Sequence, residues 1–175
     1  MSQKFAAYDA QGNIIGFYDD VDSPVPDGVT TVIKITDAEW QACLCTSGHT
    51  VVGGALVGPT AAQLLSQAQS AQCSALNMAY NTAIQKPVSY MGTTFQADSG
   101  SQDTLTKSLV PGAVPAGFFW LDANNAHVAM TFPQLQGLAM AMLAQGQAAF
   151  AKLQVYKTAV RAATTVAAVQ AIVWA

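Results

Sequence analysis

The sequence predicts an α+β fold in two parts: a small antiparallel sheet with one short helix, then two long packed helices with β-hairpins. Three observations predict it. In the first third, β-branched and aromatic runs alternate with turns built on Gly and Asn. Over residues 60–85 and 131–163, apolar residues recur at three- to four-residue spacing. Between these regimes lies Gly58-Pro59-Thr60, which places the domains at 1–57 and 58–175.

The elements follow in order. Residues 5–8 and 14–18 flank Asp9-Ala10-Gln11-Gly12-Asn13, a hairpin pattern. Two prolines and a glycine in 22–28 make a loop. Residues 30–35 are β-branched at nearly every position and read as a third strand. Thr36-Asp37-Ala38-Glu39 is a capping box, because the Thr hydroxyl can accept from residue 39 while Glu39 reaches back. The helix it starts runs to about Cys45, with Trp40 and Leu44 expected to face the strands. Residues 49–57 then form a strand or hairpin around Gly53-Gly54.

Thr60 can cap a helix that Lys86-Pro87 ends. Its stripe is Leu64, Ala68, Ala71, Ala75, Ala79 and Ala83, widened by Leu65, Leu76 and Ile84, and its small residues admit a close partner helix. Residues 88–97 suggest a strand pair turning at Gly92, and 99–109 a short helix. Residues 118–121 and 127–130 flank Asp122-Ala123-Asn124-Asn125, a second hairpin. Thr131-Phe132-Pro133-Gln134 is another capping box, opening a helix to about 163. Gly146 inside that helix costs about 1 kcal/mol relative to Ala. Close packing against the Ala-rich helix is the expected reason. A last short helix is predicted over 166–174.

Composition narrows the function. The chain has 175 residues, 51% hydrophobic and only 10% charged, against about 25% charged in an average globular protein. Its net charge of −3 offers no basic footprint for nucleic acid. Residues 1–39 hold seven of the ten acids, and residues 123–175 hold none. The opening residues show no apolar run of a secretory signal, so the expected compartment is a cytoplasm. No stretch reaches the roughly 18 apolar residues of a membrane span.

Candidate chemistry is sparse. Cys43-x-Cys45 has no second Cys or His pair at zinc spacing, and Cys73 stands alone. Asp19-Asp20-Val21-Asp22 lacks the Gly and terminal Glu of a calcium loop, and reads as a solvated turn. His49 and His127 fall in different parts, without a nucleophile-elbow sequence. No catalytic residue, metal or cofactor is therefore assigned, and the expectation is a non-enzyme. The aromatics say more. Tyr90, Phe95, Phe118, Phe119 and Trp120 come from the two later hairpins. Alternation cannot bury Phe118, Phe119 and Trp120 on one side, so at least one points away. These five are the candidate partner-binding residues.

The first third reads Tyr8-x3-Gly12-x2-Ile15-Gly16-Phe17-Tyr18, a proline loop, then Val32-Ile33-Lys34-Ile35-Thr36-Asp37-Ala38-Glu39-Trp40. This order resembles the N-terminal region of bacteriophage tail-fibre assembly proteins, in which a Gly-rich strand like 48–58 follows. The remainder is similar to an uncharacterised domain common at the C-terminal end of phage tail-fibre-associated proteins. The matching pieces are 73–84, Tyr90-x4-Phe95, 98–105, Trp120-Leu121-Asp122-Ala123, 131–138 and 162–172.

The resemblance implies an assembly chaperone that binds the C-terminal tip of a trimeric receptor-binding fibre, with up to three copies per fibre or self-association. It implies work in the host bacterial cytoplasm, with no nucleic-acid or membrane partner. The alternative it leaves open is a structural tail-fibre or baseplate subunit, retained in the virion and touching the host surface.

Overall fold

The computed structural model describes residues 2–175, an α+β chain that divides into two compact units, one reaching to Gln67 and one spanning Ala68–Ala175.

The first unit is built on a three-stranded antiparallel sheet of β1 (Lys4–Tyr8), β2 (Ile14–Asp19) and β3 (Val32–Ile35), in the order β2-β1-β3. β1 is central, with Ala6 paired to both Phe17 and Ile33, so Ala6 and Ala7 are fully buried. The β1–β2 turn is closed by Asp9, whose carboxylate accepts from the backbone of Gln11 and Asn13. At Gly12 the backbone is left-handed, φ +83°, and its carbonyl accepts from Val51 N–H at 2.8 Å. A Cβ there would overlap the Val51 carbonyl, so glycine is required twice over. That contact attaches a second hairpin, β4 (Thr50–Val52) with β5 (Ala55–Val57), which turns at Gly53-Gly54.

Helix α1 (Asp37–Cys45) begins at the Thr36–Glu39 capping box. Trp40 packs edge-on against Phe17 of the sheet, with ring centroids 5.3 Å apart, and Lys4 Nζ lies 4.9 Å above its ring. Leu44 does not share this face: it is 60% exposed, and half-buried Cys43 takes the inward position. Burial pushes the Cys43 thiol up, away from thiolate reactivity. The acidic run is solvated as expected at Asp20, Val21 and Asp22, which are exposed, but not at Asp19, the last residue of β2. Asp19 is buried, accepting from Asp22 N–H at 2.6 Å, Val21 N–H at 2.8 Å and Lys4 Nζ at 3.3 Å. Those backbone bonds, Asp22 first, hold its carboxyl down to about 2. The unpaired look of the sequence hid a side chain that folds the loop around itself.

Helix α2 (Ala61–Ala83) opens with a third box, in which Thr60 and Gln63 satisfy each other. Its first turns count with the first unit, where the Gln67 amide donates to Ser47 O.

In the second unit, α2 is followed by hairpin β6 (Val88–Tyr90)–β7 (Thr93–Phe95) and α3 (Ser99–Leu109), capped by Asp98. Hairpin β8 (Phe119–Leu121)–β9 (His127–Ala129), α4 (Phe132–Ala162) and α5 (Val166–Gln170) complete it. The core joins Val88, Phe95 and Ala97 to Leu105 of α3 and Leu135 and Leu138 of α4, with Met130 between. Along the rest of α4, Leu153 and Val160 are buried, as are Leu76 of α2 and Val169 of α5.

The long helices meet differently from the small-residue pattern. Leu64, Ala68, Ala79 and Ala83 are half-buried as the stripe predicts, but Ala71 and Ala75 are exposed, and Gln69, Gln72 and Tyr80 are half-buried beside Leu76. The Gln69 amide donates to Val160 O and Ala163 O, both at 3.2 Å, capping the end of α4. Gln145 returns the contact, donating to Lys86 O at 2.8 Å just beyond α2. The Gln72 amide takes Ile172 O, and α5 ends at Gln170, short of 174. Gly146 is not a point of close approach: a Cβ there would meet nothing within 4 Å. Tyr80 and Phe150 bridge the helices instead, edge to face at 6.3 Å.

Two outcomes follow from these bonds. Gln69→Ala takes the side-chain donor from the Ala163 carbonyl and leaves Val160 O with the Ala163 N–H alone, so thermal or urea melts should show a loss of about 1 kcal/mol. Asp19 titrates lower in the folded chain than its ordinary value of 3.8. Its contribution is therefore present in full above about pH 4 and is lost as pH falls toward 2. Melts across that window should show stability falling with acid in the wild type and more weakly in Asp19→Asn.

Candidate functional site

Several of the ionisable groups are already engaged by local structure. Asp98 accepts from Ser101 N–H at 3.0 Å and from its hydroxyl at 2.7 Å, which lowers its pKa. Asp122 closes the β8–β9 turn, accepting from Asn124 and Ala126 N–H, both at 2.8 Å. Glu39 is held below the ordinary carboxylate range by the Thr36 backbone and hydroxyl. His49 Nδ1 pairs with Thr46 O at 2.9 Å in the first unit. His127 lies on β9 of the second unit, stacked on Phe119 at 3.8 Å with the rings 11° apart. Among the described residues, no three His, Cys, Asp or Glu side chains come together in a way that could hold a metal ion.

The five aromatics have different positions. Phe95 is fully buried in the core and offers nothing to a partner, which corrects its place among the candidates. β6–β7 is short, and the pleat at Phe95 turns its ring into the space between α3 and α4. Tyr90 is half-buried against the same core, its ring lying over Gly137 of α4. Phe118 and Trp120 pack against the core as well, with centroids 6.5 Å apart. Phe119 alone of the five faces outward, 45% exposed.

Alternation along β8 puts Leu121 on the same side, 42% exposed, and the cross-strand partner His127 beside it. Phe119, Leu121 and the His127 ring thus make one outward apolar face. A groove of about 430 Å³ runs from it to the start of α3, lined also by Gln96, Asp98, Ser101 and Thr104. The Ser101 and Thr104 hydroxyls already donate to Asp98 and Gly100 O. What remains to a ligand is mainly apolar contact with Phe119 and Leu121. Leu121 and His127 were readable from period-two alternation about Phe119; the groove was not, because α3 comes from a distant stretch of chain.

Gly137 explains why Tyr90 stays down. A Cβ at 137 would overlap the Tyr90 phenol ring, so the hairpin can rest on α4 only over glycine. Gly137→Ala should cost about 1–3 kcal/mol despite the better helix propensity of Ala. Adding Tyr90→Ala should make the pair clearly less than additive in a double-mutant cycle.

No curated protein and no solved structure matches the chain. A family match covers residues 67–173, nearly the span of the second compact unit. By that match the chain belongs to the family described as "Domain of unknown function (DUF4376)".

Proposed function

We propose that this protein is a non-enzymatic assembly chaperone that binds the C-terminal region of a trimeric phage tail fibre. The observation that carries the reading is the outward face of Phe119, Leu121 and His127, an aromatic and aliphatic cluster on a hairpin whose other side is fixed to the core. Aromatic anchors held rigidly in this way lose little side-chain freedom on binding, which is what makes a contact a hot spot. The resemblance of the first third to tail-fibre assembly proteins supplies the partner. Elongated trimers built from non-local strand pairing fold slowly and expose sticky edges on the way. A charge-poor protein with an apolar hairpin face can cover such a surface until it closes.

The acidic first unit serves as a steering surface, setting encounter rate more than final affinity. Binding takes place in the host cytoplasm during assembly. No helix among the described residues is long and apolar enough to cross a membrane.

Co-expression tests the reading. Soluble trimeric fibre should rise several-fold with the wild-type protein, and Phe119→Ser should lose most of that gain while keeping its helical circular dichroism. Phe118→Ala and Trp120→Ala should lower stability first, since both rings pack on the core. Equal fibre yield without the protein would overturn the chaperone reading. Stoichiometric protein in purified particles would put a retained tail subunit in its place.

A further inference from the structure

The side chains of the β8–β9 face leave a ligand mainly apolar contact, but the backbone leaves more. In an antiparallel pair, alternate residues direct N–H and C=O at the partner strand, and the residues between direct theirs away. The bonds that bracket β8 fix which are which. Met130 N–H donates to Phe118 O at 3.1 Å, and Asp122 N–H to Ala126 O at 3.0 Å. With Trp120 opposite Val128, residues 118, 120 and 122 face β9, while Phe119 and Leu121 turn their backbone groups to the open edge. Among the described residues, no hydrogen bond within the chain reaches the N–H or C=O of Phe119 or Leu121.

The 430 Å³ groove lies along that edge. Its lining takes all three residues of β8 and none of β9, and its other wall is Gln96, Asp98, Ser101 and Thr104 around the start of α3. A trough between an unpaired strand edge and a helix selects its occupant. Extended backbone repeats donors and acceptors at the spacing of the edge, about 3.4 Å per residue. A helix has its backbone groups bonded internally and cannot supply them. The composition of the edge agrees. Natural sheets blunt such edges with charge, proline or a bulge. Strand β3, at the edge of the first sheet, carries exposed Lys34. Phe119-Trp120-Leu121 carries no charge and no proline, and its pairing with β9 runs without a register shift.

We propose that β8 takes up a third strand, an extended segment of a partner chain that pairs with the N–H and C=O of Phe119 and Leu121. Main-chain bonds then give the affinity, and alternate side chains give the preference. Residues opposite Phe119 and Leu121 set their side chains beside those two on the outward face. The other wall of the groove is polar, so a segment that alternates apolar and hydroxyl side chains fits. Strand addition selects a chain whose backbone is still unpaired, and passes over one whose strands have already closed. A ladder of two residues is short, so the segment is given up when its own strand partners arrive. That the segment belongs to a tail fibre rests on the reading above; that the edge takes a strand does not.

Two measurements on the full-length protein test this. The first uses a synthetic heptapeptide of alternating threonine and valine, blocked at both ends, at millimolar concentration. Amide hydrogen exchange read by NMR should slow at Phe119 and Leu121 by at least about tenfold, while Trp120, already bonded to β9, changes little. The same peptide N-methylated along its centre, which blocks both of its edges, should protect neither. The second is capture of the fibre. Leu121→Pro deletes one edge N–H and spares the β9 ladder, a place where a strand tolerates proline. Leu121→Ala trims the side chain and keeps the N–H. Capture should fall by a further factor of about five to ten in Leu121→Pro, the loss of one hydrogen bond, with helical circular dichroism unchanged in both. No protection of Phe119 and Leu121 by the peptide overturns the proposal, as does equal protection by its N-methylated form. So does fibre capture that falls equally in the two variants. Protection by the peptide with no capture of fibre supports the strand edge and overturns the fibre reading alone.

Discussion

The last carbonyls of an α-helix have no partner within the helix, and in most proteins water or a nearby cation takes them. This chain has few cations to spend, seven lysines and arginines in all, and glutamine outnumbers them. The second unit closes its helices with side-chain amides. Gln69 of α2 holds the end of α4, while Gln102 of α3 and Gln145 of α4 both reach the end of α2. The C-terminal ends of α2 and α4 are thereby tied to the bodies of other helices. An amide donor is short and directional, so these bonds set which turn faces which. Apolar packing fills the space that they define.

The hairpins are wedges in that frame. β6–β7 delivers Phe95 to the core and rests Tyr90 on Gly137. β8–β9 presents Phe118 and Trp120 to the same core, and the pleat then leaves Phe119 and Leu121 outside. A three-residue strand with aromatics on both sides cannot hide them all. The outward face is thus a consequence of the way the inner face is anchored.

What could be read in the sequence was local. The Thr36 and Thr131 boxes, the turns at Gly53-Gly54, Gly92 and Asp122, and helix 99–109 depend on residues a few positions apart, and the structure places them there. What misled was polarity taken as a sign of exposure. The packing side of α2 carries Gln69 and Gln72 because helix-end carbonyls wait opposite, and no periodicity of apolar residues reports that. The acids misled in the same way: Asp19 looked solvated and is buried, because its partners are backbone N–H groups, which sequence does not distinguish. Gly137 and Gly146 look alike in sequence, yet only one has an internal neighbour. Of the candidate face, Phe119 was visible through alternation, whereas the burial of Phe95 depended on tertiary packing.

Closing helices with neutral amides also changes which solution conditions the second unit responds to. A lysine or arginine at a helix terminus works partly through its charge, and added salt weakens it as the Debye length shrinks from about 10 Å at 0.1 M to about 3 Å at 1 M. A glutamine amide has no net charge to screen. Its bonds to Val160, Ala163 and Lys86 carbonyls are therefore as good in concentrated salt as in dilute buffer. Salt instead acts in this unit on Lys152, whose ammonium bonds the Ala175 carbonyl and lies over the Trp174 ring, so concentrated salt should loosen the C-terminal residues before the amide-closed helix ends.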